Sequence, residues 1–165
     1  MANQGSARLT GLAPIIDARA RVLILGSFPS TASLAAHQYY AHPQNQFWRI
    51  LGAVIDRPLK EMNYPDRINA VQAAGIAIWD VFASCERAGS LDTAIRDAVP
   101  NDLAALKNSA PAIRRICFNG RTAARRIREA EALGYEAKVL PSTSPANAGM
   151  SFAEKLARWQ AALRP

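Results

Sequence analysis

Four short apolar runs, rich in β-branched residues, punctuate the chain at residues 21–27, 75–81, 113–118 and 137–140. The first two are almost continuously apolar, the pattern of strands covered on both faces in a parallel sheet. Between the runs the apolar spacing changes to that of helices. Residues 45–55 place Trp48, Leu51 and Ile55 on one stripe, and a second helix is predicted over 65–74. Residues 91–109 predict two short helices broken at Pro100, and the Ala- and Arg-rich stretch 121–133 predicts another, stopped by Gly134. The last helix opens on the capping box Ser151 to Glu154 and aligns Leu156, Trp159 and Leu163. Strands alternating with helices predict the α/β class: a three-layer α/β/α sandwich around a central, mainly parallel four-stranded sheet. In such sheets ligands bind beyond the carboxyl ends of the strands, so function is sought in the segments that follow each strand.

A length of 165 residues suits one domain, expected over residues 15–165, preceded by a polar stretch over 1–14 expected to be flexible. That stretch lacks the apolar core of a secretory signal, and no apolar run reaches the roughly 20 residues of a membrane span, so a cytoplasmic protein is expected. The net charge of +7 points to an anionic partner, with nucleic acid the first candidate. Two cysteines, Cys85 and Cys117, cannot complete an iron–sulfur or four-cysteine zinc site; they read as structural thiols, and no metal or cofactor is expected.

The segments after the strands carry the candidate chemistry. The first strand enters residues 26–30, where Gly26 permits close backbone approach and Pro29 stiffens a turn holding Ser27, Phe28 and Ser30. Residues 38–48 then crowd Tyr39, Tyr40, His42, Asn45, Phe47 and Trp48 together. Either the aromatics belong to the core and the polar residues form turns, or the segment stacks on and recognises a planar base. The third strand ends at Asn119, ahead of Arg121, Arg125 and Arg128 on one predicted helical face, suited to phosphates or simply solvated. After the fourth strand, Ser142, Thr143, Ser144, Pro145 and Asn147 form a small polar loop whose hydroxyls and N–H groups suit phosphate contacts.

Taken in order, these motifs resemble the uracil-DNA glycosylase superfamily over residues 21–163. Residues 26–30 are similar to its water-activating first motif, 75–80 to the strand delivering a base-reading polar residue, and 141–147 to the second, minor-groove motif. The first motif of the superfamily usually carries Asp or Asn; here those places hold Ser27, Phe28 and Ser30. Residues 38–48 resemble instead the signature of the hypoxanthine-DNA glycosylase branch, family six. That resemblance implies Asn45 as the catalytic asparagine and Asn119 as a second functional one.

The implied reaction is hydrolysis of the N-glycosidic bond of a flipped deaminated nucleotide. Asn45 would hold the water, and Phe47 or Phe28 would stack on the base. Asn119 and Asp80 would meet its polar edge beside Ser27, and residues 144–148 would brace the gap left in the duplex. His42 would hydrogen-bond the leaving base or simply begin a helix. The partner is DNA containing a deaminated base, met by a monomer without metal. Hypoxanthine and uracil share a carbonyl acceptor beside a ring N–H donor, so a double-strand uracil glycosylase stays open as an alternative. So do a non-catalytic nucleic-acid-binding module and a small enzyme acting on free nucleotides.

Overall fold

The structure, a computed structural model, describes residues 7–164. Strand β1 (Leu9–Thr10) is followed by β2 (Val22–Gly26), helices α1 (Thr31–Ala36), α2 (Phe47–Ile55) and α3 (Tyr64–Ala73), and then β3 (Ile76–Asp80). The chain bends at Val81 into β4 (Phe82–Glu86) and returns through β5 (Arg96–Pro100) and α4 (Leu106–Ser109). Strand β6 (Arg115–Asn119), α5 (Ile127–Ala132), β7 (Glu136–Leu140) and α6 (Phe152–Leu163) complete it.

The four predicted strands form one sheet in the order β3-β2-β6-β7, every neighbouring pair parallel. Leu23, Leu25 and Ala77 face one helical layer with α4 and α5; Ile24, Ile76 and Ile78 face the other with α2, α3 and α6. Opposite-facing neighbours along β2 and β3 are therefore both apolar, which explains why these two runs show no alternation. Burial of two sheet faces supplies the main driving force, at roughly 25 cal/mol for each Å² of apolar surface removed from water.

The structure differs from the expectation in three places. Residues 91–109 are not two helices: a 3₁₀ turn over Asp92–Ala94 leads into β5, an exposed edge strand, and only the end is helical. Pro100 ends that strand rather than breaking a helix, a place where a missing N–H costs no ladder bond. The N-terminal stretch, expected to be flexible through Pro14, is tied down over residues 7–14; its first six residues lie outside those described. Leu9 and Thr10 pair with Cys85 and Ser84, and Arg8 donates to Ser84 Oγ and to the Asp97 carbonyl. The strands β1-β4-β5 form a small antiparallel sheet, which neither composition nor spacing announced. Finally, the predicted 121–133 helix is a 3₁₀ turn over Ala123–Arg126 followed by the short α5. Cys85 and Cys117 are buried free thiols on different sheets; burial pushes the Cys117 thiol up to about 12.

Candidate active site

At the carboxyl ends of the parallel strands lies a cleft of about 650 Å³. The loop after β2, the segment before α2, the end of β3, the end of β6 and the loop after β7 all reach it, so the rule for parallel sheets locates the site. The 90–93 segment forms a further wall, through Ser90, Leu91, Asp92 and Thr93.

Asn45 is presented by a turn. Its N–H donates to the His42 carbonyl, and Gln44 N–H donates to His42 Nδ1 at 3.1 Å. Asn45 Oδ1 accepts from Phe47 N–H at 3.0 Å as the chain enters α2, which fixes the amide at the cleft wall. The second lone pair of Oδ1 and the Nδ2 donors are what this side chain can offer a water or substrate. His42 lies on the same wall.

Phe47, one of the two residues expected to stack on a base, is elsewhere. It is fully buried in the core and makes edge contacts with Trp48 and Trp159. Its ring is stacked against Tyr40, with centroids 3.8 Å apart and planes 16° apart, and of these two rings Tyr40 is the one that lines the cleft. Phe47, at the start of α2, packs into the core, and the preceding loop supplies the wall. Tyr40 has φ of +54°, a left-handed conformation uncommon for an aromatic residue. Phe28, the other candidate, does line the cleft, with a guanidinium from Arg87 behind it at 5.3 Å from the ring centroid.

Asp80 ends β3 opposite Gly26 of β2 and is only 5% exposed. A Cβ on Gly26 would lie 2.6 Å from Asp80 Oδ1 and 2.8 Å from Tyr40 Oη, so glycine is what lets these groups approach the strand. Asp80 Oδ2 has no hydrogen-bond partner. Burial pushes the pKa of its carboxyl up to about 7, with the Asp92 charge pushing the same way and Arg87 opposing. Tyr40 is raised as well, by burial first and then by the nearby Asp80 charge.

Asn119 couples two walls. Its Nδ2 donates to Tyr40 Oη at 3.2 Å and to Thr143 Oγ1 at 3.0 Å, and its Oδ1 accepts from Thr143 N–H at 3.0 Å. Both donors are thereby occupied, and one oxygen lone pair remains. The 141–147 loop is knitted by its own side chains: Ser142 Oγ accepts from Ser144 N–H, Ser144 Oγ from Ala146 N–H, and Asn147 Nδ2 donates to the Ser142 carbonyl. Thr143 is buried and Pro145 is exposed at the loop's tip.

Ser27 Oγ donates to Asp92 Oδ1 at 2.7 Å, which closes the cleft toward the 90–93 wall. Ser30, expected at DNA, is the N-cap of α1, its Oγ accepting from Ser33 N–H. Arg121 reaches the cleft edge, as does Arg158, which was not anticipated. Arg125 is exposed but does not line the cleft. The arginine of that run used inside the protein is Arg126, which donates to the carbonyls of Val81 and Asn101. Sequence reasoning missed Tyr40 as the cleft-facing ring, Arg87, Arg158 and the 90–93 wall. The only signal available was the density of aromatics around residue 40. Among the described residues no three His, Cys, Asp or Glu side chains gather as a metal site, and no helix is long and apolar enough to cross a membrane.

This architecture has known counterparts. The chain is 42% identical over 137 residues to a hypoxanthine DNA glycosylase from Methanosarcina barkeri, covering 83% of this chain and 87% of the relative. It is 40% identical over 154 residues to another from Methanosarcina acetivorans, covering 93% and 97%. A solution NMR structure from Methanosarcina acetivorans, described as a candidate uracil DNA glycosylase, superposes with a TM-score of 0.86 at 39% identity, over 94% of this chain and 96% of that one. The family model of the uracil DNA glycosylase superfamily matches residues 13–163. With a family match over nearly its whole length, and relatives of this identity to go with it, the chain belongs to the uracil DNA glycosylase superfamily.

Proposed function

We propose that this protein is a monofunctional DNA glycosylase that excises hypoxanthine from deoxyinosine in DNA, working as a monomer. The observation that carries the reading is the setting of Asn45: an uncharged amide, anchored through Oδ1, on a cleft that also holds Asp80 and Asn119. A flipped base entering this cleft would meet Phe28 and Tyr40 as apolar walls and Asp80 and Asn119 as polar ones. As the glycosidic bond lengthens, the sugar becomes cationic and the base takes the bonding electrons. A strong general base is therefore dispensable, and Asn45 positions the water that adds to C1′. The 141–147 loop would enter the space the base vacates, and Arg121 would meet a phosphate at the rim.

The test is single-turnover cleavage of matched duplexes carrying one inosine, uracil or xanthine, by wild type and Asn45→Ala. We expect inosine to be cleaved and the variant to be slower by about 10²–10³, the usual loss for one positioned polar group. Cleavage of uracil alone would keep the mechanism and reassign the substrate. Binding of all three duplexes with no cleavage would overturn the enzyme reading.

A further inference from the structure

Asp80 is placed as few carboxylates are. It sits at the carboxyl end of β3, on the wall of the cleft, nine-tenths buried, and no donor reaches its Oδ2. Among the described residues it has no salt bridge. The charged and titratable groups that face it come from separate elements. Tyr40 and Tyr39 precede α2, Asp92 lies on the 92–94 turn with its Oδ1 taken by Ser27, and Arg87 follows β4. Arg87 gives its own donors to the carbonyls of Gly89 and Pro29 instead. Asn101 Nδ2 bonds the main-chain carbonyl of Asp80, not its carboxylate. An unpaired charge so buried is costly, so the side chain holds its proton far more tightly than an ordinary carboxylic acid.

We infer that Asp80 acts as a neutral carboxylic acid, donating its proton to the base as the glycosidic bond breaks. This rests on the glycosylase reading and adds the group that answers the leaving charge. The C1′–N bond breaks with its electron pair passing to the base, and the carboxyl O–H meets the negative charge that builds there. Water, held by Asn45, forms the new C1′–O bond. The proton it loses restores Asp80, so the products are an abasic sugar, a neutral base and the acid as it began. Ionised, the same carboxylate would repel the departing base. A neutral acid at about 7 in the free protein is poised to be lost within the ordinary working range. Base and phosphates arriving in the cleft remove water and add negative charge, and both push toward the protonated form.

The experiment is the pH profile of single-turnover hypoxanthine release from an inosine duplex, from about pH 5.5 to about pH 8.5, at saturating protein. Wild type is expected to hold a plateau in acid and then fall about tenfold per pH unit once the acid ionises. Asp80→Asn keeps an uncharged donor of similar shape and is expected to give a level profile, slower than wild type in acid. Asp80→Ala, checked for duplex binding to exclude misfolding, is expected to be level and at least tenfold slower than the Asn variant. A level wild-type profile, or a falling limb that persists in Asp80→Asn, overturns the acid role while leaving the glycosylase intact. If wild type releases no deaminated base at any pH, the glycosylase reading itself fails and this role with it.

Discussion

Arg87 puts a guanidinium inside the protein without a carboxylate against it. Its Nη2 donates to the Pro29 carbonyl at 2.6 Å and its Nε to the Gly89 carbonyl at 2.8 Å, while Nη1 is buried without a partner. Desolvation makes it hold its proton less tightly than an exposed arginine. The fork ties the 26–30 loop to the chain after β4 and keeps Phe28 beneath a cation. Replacing Arg87 with Met strands the Pro29 carbonyl, at a cost of about 1–3 kcal/mol. A melt should therefore show an unfolding temperature lower by several degrees, at about 2–4 °C per kcal/mol for a domain of this size. Excision should slow in parallel, because Phe28 loses its backing. Arg87→Lys should not restore either property, since an ammonium cannot span both carbonyls as the planar fork does.

Among the elements, α6 does more than cover the sheet. Trp159 Nε1 donates to the Pro141 carbonyl at 3.0 Å and the ring meets Phe47 edge-on, so one side chain touches both the 141–147 loop and the start of α2. Buried Lys155 reinforces the link, its Nζ donating to Gln46 Oε1 at 3.1 Å; desolvation weakens its hold on the proton. Gln46 N–H in turn donates to the Thr143 carbonyl. The Asn45 amide proposed to hold the water and the loop expected to enter DNA are thus held in one frame. Trp159→Phe keeps the apolar packing but leaves the part-buried Pro141 carbonyl without its Trp159 donor. Denaturant titration should show a loss of about 1–3 kcal/mol. The concentration of inosine duplex giving half-maximal rate should rise, because the loop is freed while Asn45 is not.

For the whole molecule the charge of +7 predicts duplex binding that weakens steeply with salt. If Arg121 meets a phosphate, Arg121→Ala should reduce the log–log salt slope by about one contact. Arg125→Ala, outside the cleft, should leave the slope unchanged. Stability should also depend on pH in an unusual sense. The Arg115 bond holds Glu136 below the usual carboxylate range. Asp80 is raised, so between about 4 and about 7 the unfolded chain binds fewer protons than the native one. Its contribution is fully favourable below the unfolded value and is lost as pH rises toward 7. The difference in unfolding free energy between Asp80→Asn and wild type should therefore grow from pH 5 to 7, in favour of the variant, and level off above.

The four strands of the parallel sheet, the helices over residues 47–55, 64–73 and 152–163, and the loops beyond the strand ends were all legible in local patterns. Apolar periodicity and capping are set by neighbours within a turn or a strand, and Ser151 accepting from Glu154 N–H is such a case. That Asp80 and Asn119 share a cleft follows from the same rule, because parallel strands deliver their ends to one side. Tertiary structure decided which ring of the aromatic segment meets the cleft, since Phe47 and Tyr40 are chemically alike along the chain and only packing on Trp159 separates them. It also decided the β1-β4-β5 sheet, whose edge strand is too exposed to show alternation, and the inward turn of Arg126. Above all it decided the proton on Asp80, because desolvation and the approach of Asp92, Arg87 and Tyr40 depend on distances between segments that no spacing along the chain contains.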